Sequence, residues 1–183
     1  MLWLYACTRN PNCDDDRHGH PSRRLYGSCT AHAVPLGRAP LPQADYEAIF
    51  ARVPRLTVEV IVTAATIDGV LLSRRESGPC QGLWHLPGGT VRFGEPLTEA
   101  VGRVAQQELG LQVLVGRFMG YIEYPSHREL RDWPVGMAFH AGLVPPSAPG
   151  DAVRAGRVAW FSRLPEEMHE EQKTFLRVHG LAL

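Results

Sequence analysis

The chain has 183 residues, enough for one domain with a sizeable core and a short extension. Nineteen basic residues against nineteen acidic ones leave zero formal net charge, so no global field favours nucleic acid or an anionic membrane, and any anion binding must be local. No apolar run approaches the roughly 18 residues a membrane-spanning helix needs, the opening MLWLYAC is too short for a secretory signal, and a cytoplasmic location is expected.

Residues 1–40 mix Asp, Arg, His, Pro and Gly without a helix or strand period, and read as an irregular, disordered extension. Cys7, Cys13, His18, His20, Cys29 and His32 are metal-capable types, but none repeats the C-x2-C or H-x3-H spacing of a zinc module. With Cys80 the chain has four cysteines, expected to be free thiols. Order begins near Pro42, and residues 41–183 are expected to form one domain. LPQADYEAIFARV places Tyr46, Ile49, Phe50 and Val53 at helical spacing, a helix that should pack on the domain and is a candidate homodimer element. LTVEVIVTAA and GVLLSRR are β-branched or aliphatic runs with Asp68–Gly69 between them, a hairpin signal, and the first is apolar enough on both faces to be a central strand.

Residues 88–111, GGTVRFGEPLTEAVGRVAQQELGL, read as a glycine turn, a proline-opened helix and a closing glycine. At 3.6 residues per turn, Leu97, Ala100, Val101, Val104 and Ala105 form one apolar stripe, and Glu108 falls near its middle. An ionised carboxylate facing a core is unfavourable unless a cation or a set of donors holds it, so the helix itself suggests a metal; the bland alternative is that Glu108 bends out to water. Further on, residues 112–124 and 137–144 read as strands flanking the polar loop SHRELRDWP, RVAWF as a last strand, and PEEMHEEQKTFLRVHG as a terminal helix from Pro165 to Gly180. Interleaved strands and helices predict an α+β fold, an α/β/α sandwich with a mixed sheet.

Gly89, Glu95, Arg103, Ala105, Glu108, Gly110 and Leu111 stand in the register of the Nudix box, G-x5-E-x7-R-E-U-x-E-E-x-G-U with U aliphatic, so the chain resembles the Nudix hydrolases. Two positions depart: Val104 replaces the first helix glutamate and Gln107 the first of the paired glutamates. This R-x-x-x-x-E-L-G-L variant, with the Q-G-x-W-x-x-P-G-G entry at Gln81–Gly89, is similar to the GDP-mannose mannosyl hydrolase-like branch. The resemblance implies the Nudix fold and a Mg2+-dependent hydrolase, with Mn2+ as the alternative ion. The substrate would be a small nucleoside diphosphate-linked molecule, such as a nucleotide sugar split into nucleoside diphosphate and sugar. An ordinary pyrophosphatase cleaving P-O-P, or a catalytically weak ligand-binding module, are the alternatives.

Glu108 is the expected metal ligand, and the resemblance adds the Gly88 carbonyl. One box carboxylate argues for at most one protein-bound Mg2+ in this helix. Arg103 either pairs with Glu99 four residues back or, as the resemblance implies, braces the loop through Glu95. Arg74 and Arg75 end a strand, so only one should reach the cleft, and Arg75 is the expected diphosphate contact. Trp84 and Tyr121 are candidates for stacking on a base, with core packing as the alternative. DAVRAGRVAW lacks the histidine that the branch is thought to use as general base, leaving His127 as the substitute beside Glu123.

Overall fold

The computed structural model describes residues 41–65, 67–77, 80–130, 132–144 and 155–181. The expectations for residues 1–40, including their cysteines and histidines, lie outside the described residues.

Strand β1 (Arg55–Ala64) is the central strand of a mixed sheet. It runs parallel to β6 (Pro134–Leu143) from Arg55 opposite Pro134 to Thr63 opposite Gly142, and antiparallel to β2 (Ile67–Arg74). The short β3 (Trp84–His85) extends the β2 edge and β5 (Val113–Glu123) the β6 edge. Two further strands, β4 (Gly88–Thr90) and β7 (Val158–Phe161), pair with β1 and β2 respectively. Val58, Val60 and Val62 of β1 pack with Ala100, Val101 and Val104 of helix α2 (Leu97–Val104), whereas Ile61 joins Val70, Leu72, Ile122 and Leu176 of helix α3 (Glu170–Val178). Neighbouring residues of a strand point to opposite faces, so the two helices cover opposite sides of the sheet. This is the expected α/β/α sandwich. No helix among the described residues is long and apolar enough to cross a membrane.

Four local expectations need correction. The hairpin turns two residues before Asp68–Gly69; these lie inside β2, where a side chain at Gly69 would strike the Phe161 backbone. Gly88 and Gly89 form strand β4 rather than a turn, opposite Glu59 and Val58. The terminal helix begins at Glu170, not Pro165, because Met168 is buried in the core and bridges to Trp84, which keeps the residues before His169 out of the helix. The first helix, α1 (Gln43–Phe50), has no buried residue; Tyr46 touches Thr90 through its hydroxyl, and Ile49 remains exposed.

Candidate active site

A cavity of about 440 Å3 opens where β1, β2 and β4 meet the end of α2 and the start of α3. Helix α2 opens at Pro96 and runs on into a π-helical turn, Ala105–Leu109, that Gly110 closes in the left-handed region at φ 68°. Such widened turns often accompany functional sites. Here Leu109 enters the core while Glu108, half-buried, lines the cavity. The Ser73 hydroxyl donates to Glu108 Oε2 at 3.2 Å. Burial raises the Glu108 pKa, opposed by Ser73, the Gly88 main chain and the Arg75 charge.

Gly88 stands at a non-hydrogen-bonded pair opposite Glu59, since Val60 N–H donates to the Pro87 carbonyl one position along. Its N–H and C=O therefore both point away from β1. A main-chain group that stabilises the charged form of Glu108 must be the N–H, so the amide serves that carboxylate.

Glu59 is a second carboxylate, from the middle of β1, that sequence reasoning missed. It is 5% exposed, and side chains at Gly88 or Gly136 would fall within 2.7 Å of its atoms. Those two glycines give it room. Thr57 Oγ1 donates to Glu59 Oε1 and Gln172 Nε2 to Oε2, both at 3.2 Å. Gln172 also donates to the Tyr124 hydroxyl at 2.9 Å and accepts the Leu86 N–H at 2.7 Å, so its amide is fixed on both sides. Burial above all, with Glu108 adding repulsion, pushes Glu59 up to about 8 against the hydrogen bonds of Tyr124 and Thr57. A lone glutamate in LTVEVIVTAA was the available signal, because a strand buried on both faces has no solvent for it.

Arg103 and Glu95 meet. Nε donates to Oε1 at 2.6 Å and Nη2 to Oε2 at 2.8 Å, while Nη2 also reaches the Thr90 carbonyl and Nη1 the Gln107 side-chain oxygen, each at 3.0 Å. Glu95 in turn accepts the Arg92 N–H at 2.9 Å. This fork closes residues 90–96 as a loop, and the Arg103 bond holds the Glu95 pKa below its ordinary value.

Both Arg74 and Arg75 line the cavity, contrary to the expectation that one would. β2 ends at Arg74, so strand alternation no longer constrains Arg75. Arg74 Nε donates to the Gly82 carbonyl, and its guanidinium lies 5.9 Å from the centre of the Trp84 ring. Trp84 and Tyr121 do not line the cavity. Trp84 packs edge-to-face on Phe161 at 4.8 Å within the core, and Tyr121 is 62% exposed on β5. Of the two readings of these rings, Trp84 takes up the core-packing one, and Tyr121 stands outside the cavity lining.

His127 does line the cavity, but it is buried rather than a solvated loop residue. It sits in the 3-10 turn Pro125–Leu130, with Nε2 at 3.1 Å from His169 Nε2. Glu123 is exposed and outside the cavity lining.

The NUDIX domain model matches residues 53–176, and the chain belongs to that family. It is 42% identical over 84 residues to the low-salt glycan biosynthesis protein Agl8 of Haloferax volcanii, an alignment covering 46% of this chain and 53% of the relative. It is 31% identical over 100 residues to the ADP-ribose pyrophosphatase of Methanocaldococcus jannaschii, covering 51% and 56%. The chain thus spans about half the length of the curated relatives it matches. In fold it is similar to the MutT NUDIX hydrolase of Burkholderia pseudomallei, with a TM-score of 0.55 and 22% identity over 69% of this chain and 98% of that one.

Proposed function

We propose that the chain is a Mg2+-dependent hydrolase of a nucleoside diphosphate-linked small molecule, specifically a nucleotide sugar cleaved to nucleoside diphosphate and sugar. The observation that carries this reading is a cavity with a single box carboxylate, Glu108, next to the guanidinium groups of Arg74 and Arg75. The relative named for glycan biosynthesis supports a sugar-linked substrate.

The donor set fits a hard divalent cation: Glu108 is held by Ser73 at a half-buried position, and Gly88 turns main-chain oxygen and nitrogen away from β1. Mg2+, or Mn2+ in its place, would be held by Glu108 and the Gly88 carbonyl, and when bound would neutralise charge on the leaving diphosphate. Arg75 and Arg74 supply fixed positive charge for the phosphate oxygens. Arg103 and Glu95 position the loop at the cavity edge without touching substrate. Glu59 takes the proton-accepting role expected of His127, because its carboxylate lines the cavity and Thr57 and Gln172 fix its orientation.

One observation favours a second reading. Glu59 brings a second carboxylate beside the one on the helix, and a relative is named as a pyrophosphatase, so P-O-P cleavage is the alternative. Turnover of a nucleotide sugar in H2(18)O with Mg2+ separates the two. Label in the free sugar is the expected result; label in sugar phosphate or nucleoside monophosphate would establish the pyrophosphatase instead.

A further inference from the structure

Cys80, His127 and His169 bring three metal-ligating atoms within 4.8 Å of one another. They come from three separate segments: the loop after β2, the turn after β5 and the residue that opens α3. Nε2 of His127 is 3.1 Å from Nε2 of His169, and Cys80 Sγ is 3.9 Å from the latter. Tetrahedral zinc, with Zn–N of about 2.0–2.1 Å and Zn–S of about 2.3 Å, needs N···N of roughly 3.4 Å and N···S of roughly 3.6 Å. The observed N···N is about 0.3 Å shorter and the N···S about 0.3 Å longer than these values, within reach of small side-chain adjustments.

Proton accounting points the same way. Glu171 Oε2 lies 2.9 Å from His169 Nδ1, and Asp132 Oδ2 lies 3.7 Å from His127 Nδ1. Neither contact is a well-aligned hydrogen bond, but a carboxylate beside each Nδ1 favours the proton there. With both protons there, the two Nε2 lone pairs would face one another across 3.1 Å, a hydrogen-bonding separation. Moving a proton to one Nε2 relieves that, but turns the other lone pair of the same ring toward a carboxylate. Both residues are only 6% exposed, so solvent reaches the rings only from the cavity side and does little to offset either arrangement at the Nδ1 atoms. A cation between the two Nε2 atoms satisfies both. Carboxylates behind ligating imidazoles are the usual support of such sites, and here each is itself held: Asp132 by Arg55, and Glu171 by the Ser126 N–H. Among the described residues Cys80 is also the one non-glycine residue with positive φ, at 65°, a strained conformation of the kind that clusters at functional sites.

We propose that Cys80, His127 and His169 form a binding site for a zinc-class divalent cation, separate from the oxygen donors Glu108 and Gly88. Sulfur and imidazole select this class over Mg2+. Three protein donors leave a fourth position, and since both imidazoles line the cavity, that position is reachable from it.

The test uses the full chain, reduced and stripped with chelator, titrated with Co2+ in excess Mg2+. A thiolate-to-cobalt charge-transfer band saturating at about one equivalent is expected. Cys80→Ser should abolish the band, and His169→Gln, which removes a direct ligand, should weaken Co2+ binding by at least the roughly 10–100-fold that loss of an outer-shell partner costs. The triple variant Cys7→Ser, Cys13→Ser, Cys29→Ser should keep the band unchanged. Persistence of the band in Cys80→Ser, its loss in the triple variant, or its displacement by Mg2+ would overturn the site. If His169→Gln fails to fold, the near-isosteric Cys80→Ser and the triple variant still decide the outcome.

Discussion

The two sides of the cavity are built from different chemistry. Around Glu108 the donors are oxygens, with guanidinium groups nearby and Glu108 itself half-buried. Around His169 they are nitrogen and sulfur, two buried imidazoles backed by carboxylates with the half-buried Cys80 beside them. A hard ion with a reluctant hydration shell suits the first side, and a borderline one the second. Two cations could therefore share one small cavity without competing, because each side discriminates by donor type rather than by shape.

The largest effect expected on this contrast is at Glu108. Glu108→Gln removes the box carboxylate while keeping its size and its Ser73 partner, so turnover with Mg2+ should fall by orders of magnitude with the melting temperature nearly unchanged. Steady-state rates and thermal denaturation of the same preparation check it. Equal Mg2+ affinity and equal activity would remove the oxygen side from the comparison.

Val104 sharpens it from beneath. Val104 is 1% exposed in the cluster between α2 and the sheet. Writing the missing helix carboxylate back with Val104→Glu should cost about 3 kcal/mol or more by denaturant unfolding, without new phosphate-bridge cleavage, because the charge enters a packed apolar site. A stable variant that gains pyrophosphatase activity would make the oxygen side a multi-metal device.

Next comes Glu59, in protein freed of metal by chelator. Its folded pKa of about 8 lies above the ordinary 4.5, so the folded state keeps a proton that the unfolded chain has lost. Unfolding free energy should accordingly fall as pH rises from about 4.5 to about 8, by a few kcal/mol on the order-of-magnitude scale of 1.36 kcal/mol per unit. Glu59→Gln should flatten that slope and keep the fold, since Gln replaces the neutral acid. A wild-type stability that is level over this window would mean that Glu59 is already ionised in the folded protein and that burial does not hold it as the neutral acid.

How far these features can be read in the chain depends on whether their partners are near in sequence. The box helix, its Pro96 start, its Gly110 end and the placement of Glu95 opposite Arg103 follow from spacing within a couple of dozen residues, and the family register is local too. Central placement of β1 followed from its apolar pattern. The nitrogen and sulfur side is different: Cys80, His127 and His169 are far apart in the chain, and they meet through the pairing of β5 with β6, the docking of α3, and the main-chain bonds of Trp84 to Glu167 and His169. No periodicity carries such a juxtaposition. Glu59 was visible as a charge in an apolar strand, but its neighbours Gly136 and Gln172 were not. The packing of Trp84 was hidden for the same reason, since its partners Phe161 on β7 and Met168 are both distant in sequence.

A smaller effect is expected at the brace shared by the loop and the helix. Arg103→Lys keeps the charge but loses the fork to Glu95 and the reach to Thr90, which should cost about 1.5 kcal/mol of stability. Because Glu95 is held below its ordinary pKa chiefly by Arg103, that contribution is present above about 4.5 and is lost as pH falls further. The difference between wild type and variant should therefore narrow in acid. A difference that stays constant down to low pH would assign the loss to packing instead of the ion pair.

The smallest effect is predicted for removal of residues 1–40. That segment shows no periodic apolar face with which to join a core, so its loss should leave melting temperature and turnover nearly unchanged. The truncation also bears on the contrast between the two sides of the cavity. It deletes Cys7, Cys13, His18, His20, Cys29 and His32 together, leaving Cys80 as the remaining cysteine. Zinc content measured on the shortened, chelator-free protein should match that of the full chain at about one ion. A large drop in melting temperature, or zinc that leaves with the segment, would make the extension structural and shift the soft-metal chemistry out of the cavity altogether.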